Sequence, residues 1–155
     1  GNNEFFDCGK NIVGPYLLKN GIIKVDYVIV SHGDADHIGG LFYVLESIDV
    51  ENVIISYQVN NSRGANSEQS NIEKMLEIIN QKHINLVAVN KGDCLKIEED
   101  VTIDILWPDK DNLIKENALN NNSIVCKINY KENSILFTGD IEEIAEKKIL
   151  QEYRR

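Results

Sequence analysis

The chain has 155 residues, 43% of them hydrophobic and 26% charged, with a formal net charge of −9 at pH 7. That suffices for one domain with a buried core, and the charge disfavours broad nonspecific binding to an extended polyanion unless cations or another domain supply positive charge. Cys8, Cys94 and Cys126 are widely spaced and form no CxxC pair, which excludes an obvious disulfide framework or thiolate zinc site and reads as core thiols. No apolar run approaches the roughly 20 residues that cross a bilayer, and no basic-then-apolar signal pattern opens the chain.

In chain order, residues 4–8 (EFFDC), closed by Gly9, read as a strand at the extreme end, as expected of a piece of a longer protein. Residues 11–20 read as a helix around Pro15 with Gly21 as its stop. Residues 25–31, rich in Val and Ile, read as a buried strand. A helix over residues 38–47 and a strand over 52–57 follow, then a polar loop from Gln58 to Ser67. Ile72, Met75, Leu76 and Ile79 recur at helical spacing and predict a helix over 70–81. Residues 85–89, 94–97, 101–107, 123–130 and 134–138 read as strands, the last two joined through Lys131, Glu132 and Asn133, and residues 141–153 as a charged amphipathic helix. Strands that first alternate with helices and then run antiparallel predict a mixed sheet covered by helices, an α/β or α+β sandwich. No glycine-rich phosphate loop follows the first strand, which argues against a doubly wound nucleotide fold.

Chemistry concentrates in SHGDADHIGG, residues 31–40, where two of the three histidines stand beside two aspartates. In His32-x-Asp34-x-Asp36-His37, alternate residues of an extended segment point the same way, so His32, Asp34 and Asp36 can converge while His37 turns back from the start of a helix. Four ligands on one turn suit a pair of metal ions. A capping turn with Asp36 before Ile38 explains only one aspartate. A calcium loop starting at Asp34 fails at Ile38 and Leu45, where oxygen ligands are required. Chance clustering is the remaining alternative. His83, in QKHINL, has no ligand-like neighbours and reads as an ordinary exposed side chain.

This cluster resembles the HxHxDH signature of the metallo-β-lactamase superfamily, with Asp34 at the middle histidine. The run VIVSHGDADHIGGL is similar to the metallo-β-lactamase-like domain of ComEC-type DNA-uptake competence proteins. FFDCG (5–9), VTIDILWP (101–108), NNNSIVCKI (120–128) and ILFTGDIEEIAE (135–146) agree with that family in order. The resemblance implies an αββα sandwich and a site for two divalent ions, manganese or zinc. His32 and Asp34 would hold one ion, Asp36 and His37 the other, and Asp140 would bridge them, Asp36 and Asp140 being catalytic. Asp7 would support the ligands. Asn122 stands at the corner where many members carry a further histidine. Asp140 also reads as an N-cap of the last helix.

Asp34 in place of an imidazole is a harder, anionic ligand that shifts preference from zinc toward manganese or magnesium. The implied activity is metal-dependent hydrolysis by ions about 3.5 to 4 Å apart, in the family a phosphodiesterase or nuclease acting on single-stranded DNA during uptake. A free-standing metallohydrolase of a small ester, lactone or phosphate, and a non-catalytic structural module, are the alternatives. The resemblance also implies a membrane parent protein with this domain on the outer side. In the family the fold continues past the helix after TGD into a further strand and an HHGS-like segment. Residues 1–155 are therefore expected to form a single, partial domain, ending after the first half to two-thirds of the sandwich. An exposed sheet edge prone to homodimerisation, partial metal occupancy and weak activity would follow.

Overall fold

The computed structural model describes residues 2–3, 6–58 and 67–153. Two sheets face each other, with helices on both outer sides. The first is parallel, with order β3-β4-β5, built from β3 (Lys24–Ile29), β4 (Asp49–Ser56) and β5 (Asn85–Val89). The second is antiparallel, with order β6-β7-β8-β9: β6 (Cys94–Glu98), β7 (Val101–Trp107), β8 (Val125–Tyr130) and β9 (Asn133–Phe137). The parallel and antiparallel strands thus sort into two sheets rather than one mixed sheet. A parallel pair needs a crossover, and helices supply it here, whereas β6–β7 and β8–β9 are joined by two-residue turns and β7–β8 by the longer segment 108–124.

The apolar pattern of β4 shows why the layers form. Val53 and Ile55 face α3 (Leu41–Ser47) and α4 (Ser67–Gln81), packing with Leu45, Ile72, Met75 and Ile79. Ile54, on the opposite face, packs with Val89, Ile103, Ile105, Ile124 and Cys126 between the sheets. A strand buried on both faces is what a continuous apolar run codes for. On the far side of the antiparallel sheet, beyond the short α5 (Ala118–Asn121), α6 (Glu143–Tyr153) sets Ala145 against Trp107, Ile114 and Val125. Each fully buried aliphatic side chain of these layers contributes about 1.5–3 kcal/mol relative to exposure.

At the N-terminus, β1 (Asn2–Asn3) pairs antiparallel with β2 (Phe6–Asp7). The helix expected over 11–20 is instead a π-helical turn, Gly9–Val13, running into α1 (Gly14–Lys19), with Pro15 at the start of the α-helix and Gly21 at φ 70 as its stop. Gly9 explains part of that change: a Cβ there would lie 1.8 Å from the Gly40 carbonyl oxygen, so the two backbones touch directly. The helix expected over 38–47 is likewise split into α2 (Ala35–Ile38) and α3 at Gly39 and Gly40.

Other boundaries shift by one to three residues. The loop expected from Gln58 to Ser67 lies mostly outside the described residues, Ser67 belonging to α4. The β8–β9 link is a two-residue turn, since Tyr130 pairs with Asn133, and Lys131 takes φ 52 as such turns require. Of the three cysteines read as core thiols only Cys126 is buried; Cys94 is exposed and Cys8 intermediate. Strand β9 lies at the margin of its sheet with all five residues exposed, Ile135, Leu136 and Phe137 among them.

Candidate metal centre

The site gathers at three chain segments that meet where strands end. The first follows β3. Val30 still donates to the Ile54 carbonyl, and the Ser31 carbonyl accepts from Ile124 N at 3.0 Å, tying this segment to the residue just before β8 of the second sheet. His32 comes next and is buried, 1% exposed. Its Nδ1 lies 3.1 Å from Ser31 Oγ and 3.3 Å from Ser123 Oγ. Its Nε2 points into the cluster, where Asp34 Oδ2 stands 3.3 Å away but no hydrogen bond closes on it.

One turn later α2 brings in His37. Ile38, 1% exposed, anchors this short helix in the core, and the backbone N–H groups of His37 and Ile38 both donate to the Asp34 carbonyl. Asp34, not Asp36, is therefore the N-cap residue; its backbone is extended and its side chain makes no capping bond. Asp36 sits in the first turn, 72% exposed. The capping reading of Asp36 fails because the helix begins at Ala35, three residues earlier than the apolar pattern suggests.

Asp140 arrives from the turn after β9. His37 Nε2 meets its Oδ2 at 3.0 Å and Asp36 Oδ2 at 3.7 Å. The imidazoles of His32 and His37 lie 4.1 Å apart, tilted by 49°. One ligand atom from each of His32, His37 and Asp140 can be chosen so that all lie within 4.8 Å of one another. Burial, and then the neighbouring His37, hold the His32 pKa below its ordinary 6.5, against the pull of Asp34, Asp140 and Asp36. Neutral imidazole is the form that binds a metal.

Asp140 is not an N-cap: α6 starts at Glu143, and the first turn bonds back to the Glu142 carbonyl. Glu142 acts instead as a clasp. Its carboxylate accepts from Asn117 Nδ2 at 2.7 Å and Asn121 Nδ2 at 2.9 Å, and its N–H donates to Asn121 Oδ1 at 3.0 Å. Asn122 is buried and turned away from the cluster: Nδ2 donates to the Ile114 and Ala118 carbonyls, and Oδ1 accepts from Ile114 N. It holds in place the loop that presents Ser123. Asp7 lies just before the π-helical turn, its Oδ1 accepting from Lys10 N at 3.0 Å, and is not in the three-residue group. His83 is exposed and remote in sequence from it.

The donor set fits divalent cations. A buried nitrogen left without a hydrogen bond costs about 1–3 kcal/mol, and a cation facing His32 Nε2 removes that cost while neutralising the three nearby carboxylates. His32 beside Asp34, and His37 beside Asp36 and Asp140, would hold it.

A model of the metallo-beta-lactamase superfamily matches residues 3–152. The chain belongs to that superfamily. ComE operon protein 3 of Bacillus subtilis (strain 168) is 28% identical over 145 residues, which cover 94% of this chain and 17% of that protein. The chain thus spans less than a fifth of that relative's length. Superfamily members usually bind divalent metals, and the layered α/β architecture is the one the superfamily adopts. The residues that the sequence alone does not single out are Ser31, Ser123, Asn121 and Glu142. The run Asn120–Ser123 before a strand is the only signal for Asn121 and Ser123, and Ser31 and Glu142 have none beyond adjoining His32 and the TGD motif.

Proposed function

We propose that this chain is a metal-dependent phosphodiesterase domain that cleaves single-stranded DNA during DNA uptake, as part of a membrane competence protein. The observation that carries the hydrolase reading is the buried His32 Nε2, left without a hydrogen bond and facing His37 and Asp140. When bound, two divalent ions would supply positive charge for the substrate's oxygens and a water activated for attack.

The protein's own part is arrangement. Ile38 and the Asp34 carbonyl fix α2 so that His37 faces Asp140, and Glu142 with Asn121 fixes the turn carrying Asp140. The carboxylates Asp34, Asp36 and Asp140 give a hard, anionic donor set suited to manganese as well as zinc. Resemblance to ComE operon protein 3 supports a place in competence. None of the described helices is long and apolar enough to cross a membrane, so the membrane part of this proposal belongs to the rest of the parent protein.

The net charge of −9 favours a second reading, a small ester or phosphate as substrate, because a polyanion is repelled until the ions are bound. A phosphodiesterase assay separates the two. Single-stranded DNA and a small aryl phosphodiester are offered to the Mn²⁺- or Zn²⁺-loaded protein, with Asp140→Ala as control. Cleavage of DNA lost in the variant supports the proposal. Turnover of the small ester alone favours the second reading, and metal binding with neither activity overturns both.

A further inference from the structure

We propose that Ser123 is a positioning residue of the metal centre, one hydroxyl that orients His32 and tethers Asp140. The inference rests on the reading of the cluster as a metal site. It begins with what lies behind the ligands. His32 Nδ1 has two oxygens in reach, Ser31 Oγ at 3.1 Å and Ser123 Oγ at 3.3 Å, and both are serine hydroxyls. Ser123 Oγ also accepts from the backbone N–H of Asp140, at 3.4 Å. The same atom therefore touches a ligand from the end of β3 and the residue that brings in the ligand after β9.

A ring nitrogen bound to a cation must present its lone pair, so the other nitrogen carries the proton and needs an acceptor. At His32 the nitrogen without a hydrogen bond is Nε2, which faces the cluster, while Nδ1 faces the serines. The hydroxyl oxygens accept the Nδ1 proton and leave the Nε2 lone pair directed at the site. Asp34 Oδ2, 3.3 Å from Nε2, pulls the other way, since a carboxylate favours a proton on the nitrogen it faces. Two serines against one carboxylate is the arrangement that holds the metal-ready tautomer before a metal arrives.

The backbone is shaped to keep this junction closed. Gly139 has φ +56, and a Cβ there would lie 2.7 Å from Ser123 Cβ and 3.2 Å from Ser31 Cβ. No side chain fits between the three strand ends. Asn122, by holding the loop on Ile114 and Ala118, keeps Ser123 at the meeting point.

Calorimetric titration with Zn²⁺ and with Mn²⁺ tests this on the unaltered chain, Ser123→Ala, Ser31→Ala and the double variant, alongside long-range ¹H–¹⁵N spectra of His32. Ser123→Ala is expected to weaken metal binding by about 10- to 100-fold, with a larger loss in the double variant. The zinc-loaded unaltered chain should show the His32 proton on Nδ1. Ser123→Ala binding as tightly as the unaltered chain, with an unchanged His32 spectrum, overturns the role of Ser123 and leaves the metal centre standing. A proton on Nε2 in the zinc-loaded protein overturns it too, and decides the matter if Ser123→Ala fails to fold. No metal binding by the unaltered chain overturns this inference and the metal-centre reading together.

Discussion

His37 Nε2 and Asp140 Oδ2 meet at 3.0 Å across 103 positions of chain. The contact spans both sheets, since His37 follows β3 and Asp140 follows β9. Asp140→Ala removes the one candidate ligand that the antiparallel sheet brings to the three-residue group. It is expected to lower metal affinity by more than the about 10- to 100-fold typical of losing a residue behind a ligand. His37→Ala should do the same. Metal content by mass spectrometry, after loading and desalting, checks both; full retention in either variant would remove that residue from the ligand set.

The pH behaviour of the metal-free protein follows from the burial of His32. Its pKa is lowered from 6.5, so below that value the unfolded chain holds a proton that the folded chain does not. Stability therefore falls as pH drops below 6.5 and levels off beneath the lower folded value. Thermal unfolding of metal-free protein, followed from about pH 7.5 to about pH 5, should show this decline. His32→Gln should decline less, and equal slopes would show that His32 does not carry the effect.

Trp107→Phe tests the support behind the site. The indole is 1% exposed, and its Nε1 donates to the Asn121 carbonyl at 2.7 Å. Phenylalanine leaves that carbonyl unpartnered and a void beside Ile114 and Val125. Chemical denaturation should show a loss of about 2–4 kcal/mol. A loss within about 0.5 kcal/mol, the range of an ordinary surface change, would deny Asn121 any dependence on this bond.

Gly9→Ala tests the contact between the N-terminal turn and the junction of α2 and α3. The new methyl would sit 1.8 Å from Gly40 O, which no rotamer can relieve, because the clash is with backbone. The cost expected is about 1–3 kcal/mol, with weaker metal binding because α2, which carries His37, must shift. Melting and metal titration of the variant check the two effects separately.

Much of the fold was legible because local pattern and burial agree. Residues 85–89 and 101–107 read as strands and are strands, β5 and β7, over the same residues. What the pattern missed was set by contacts distant in sequence. Residues 11–20 carry nothing that announces a π-helical turn; the approach of Gly9 to Gly40 sets it. The convergence of the residues 32–37 was legible in their spacing, while the place of Asp140 beside His32 and His37 was implied only by the family resemblance. The part of Ser123 was not legible, since its bond to His32 spans 91 positions and a lone serine before a strand has no distinctive spacing. Asp7 and Asn122 share another difficulty: polar residues at strand ends satisfy backbone groups as readily as they support a metal, and sequence does not distinguish the two uses.

Because His32 follows the third strand and His37 lies in the first helix after it, while Asp140 follows the ninth strand, a growing polypeptide carries an incomplete set of candidate ligands until the ninth strand has been made. The two histidines emerge from the ribosome more than a hundred residues ahead of the aspartate. Strand β9 must join its sheet before the set closes. Capture of an ion at the proposed centre would then follow assembly of both layers, and a held ion would report that the β8–β9 hairpin has docked.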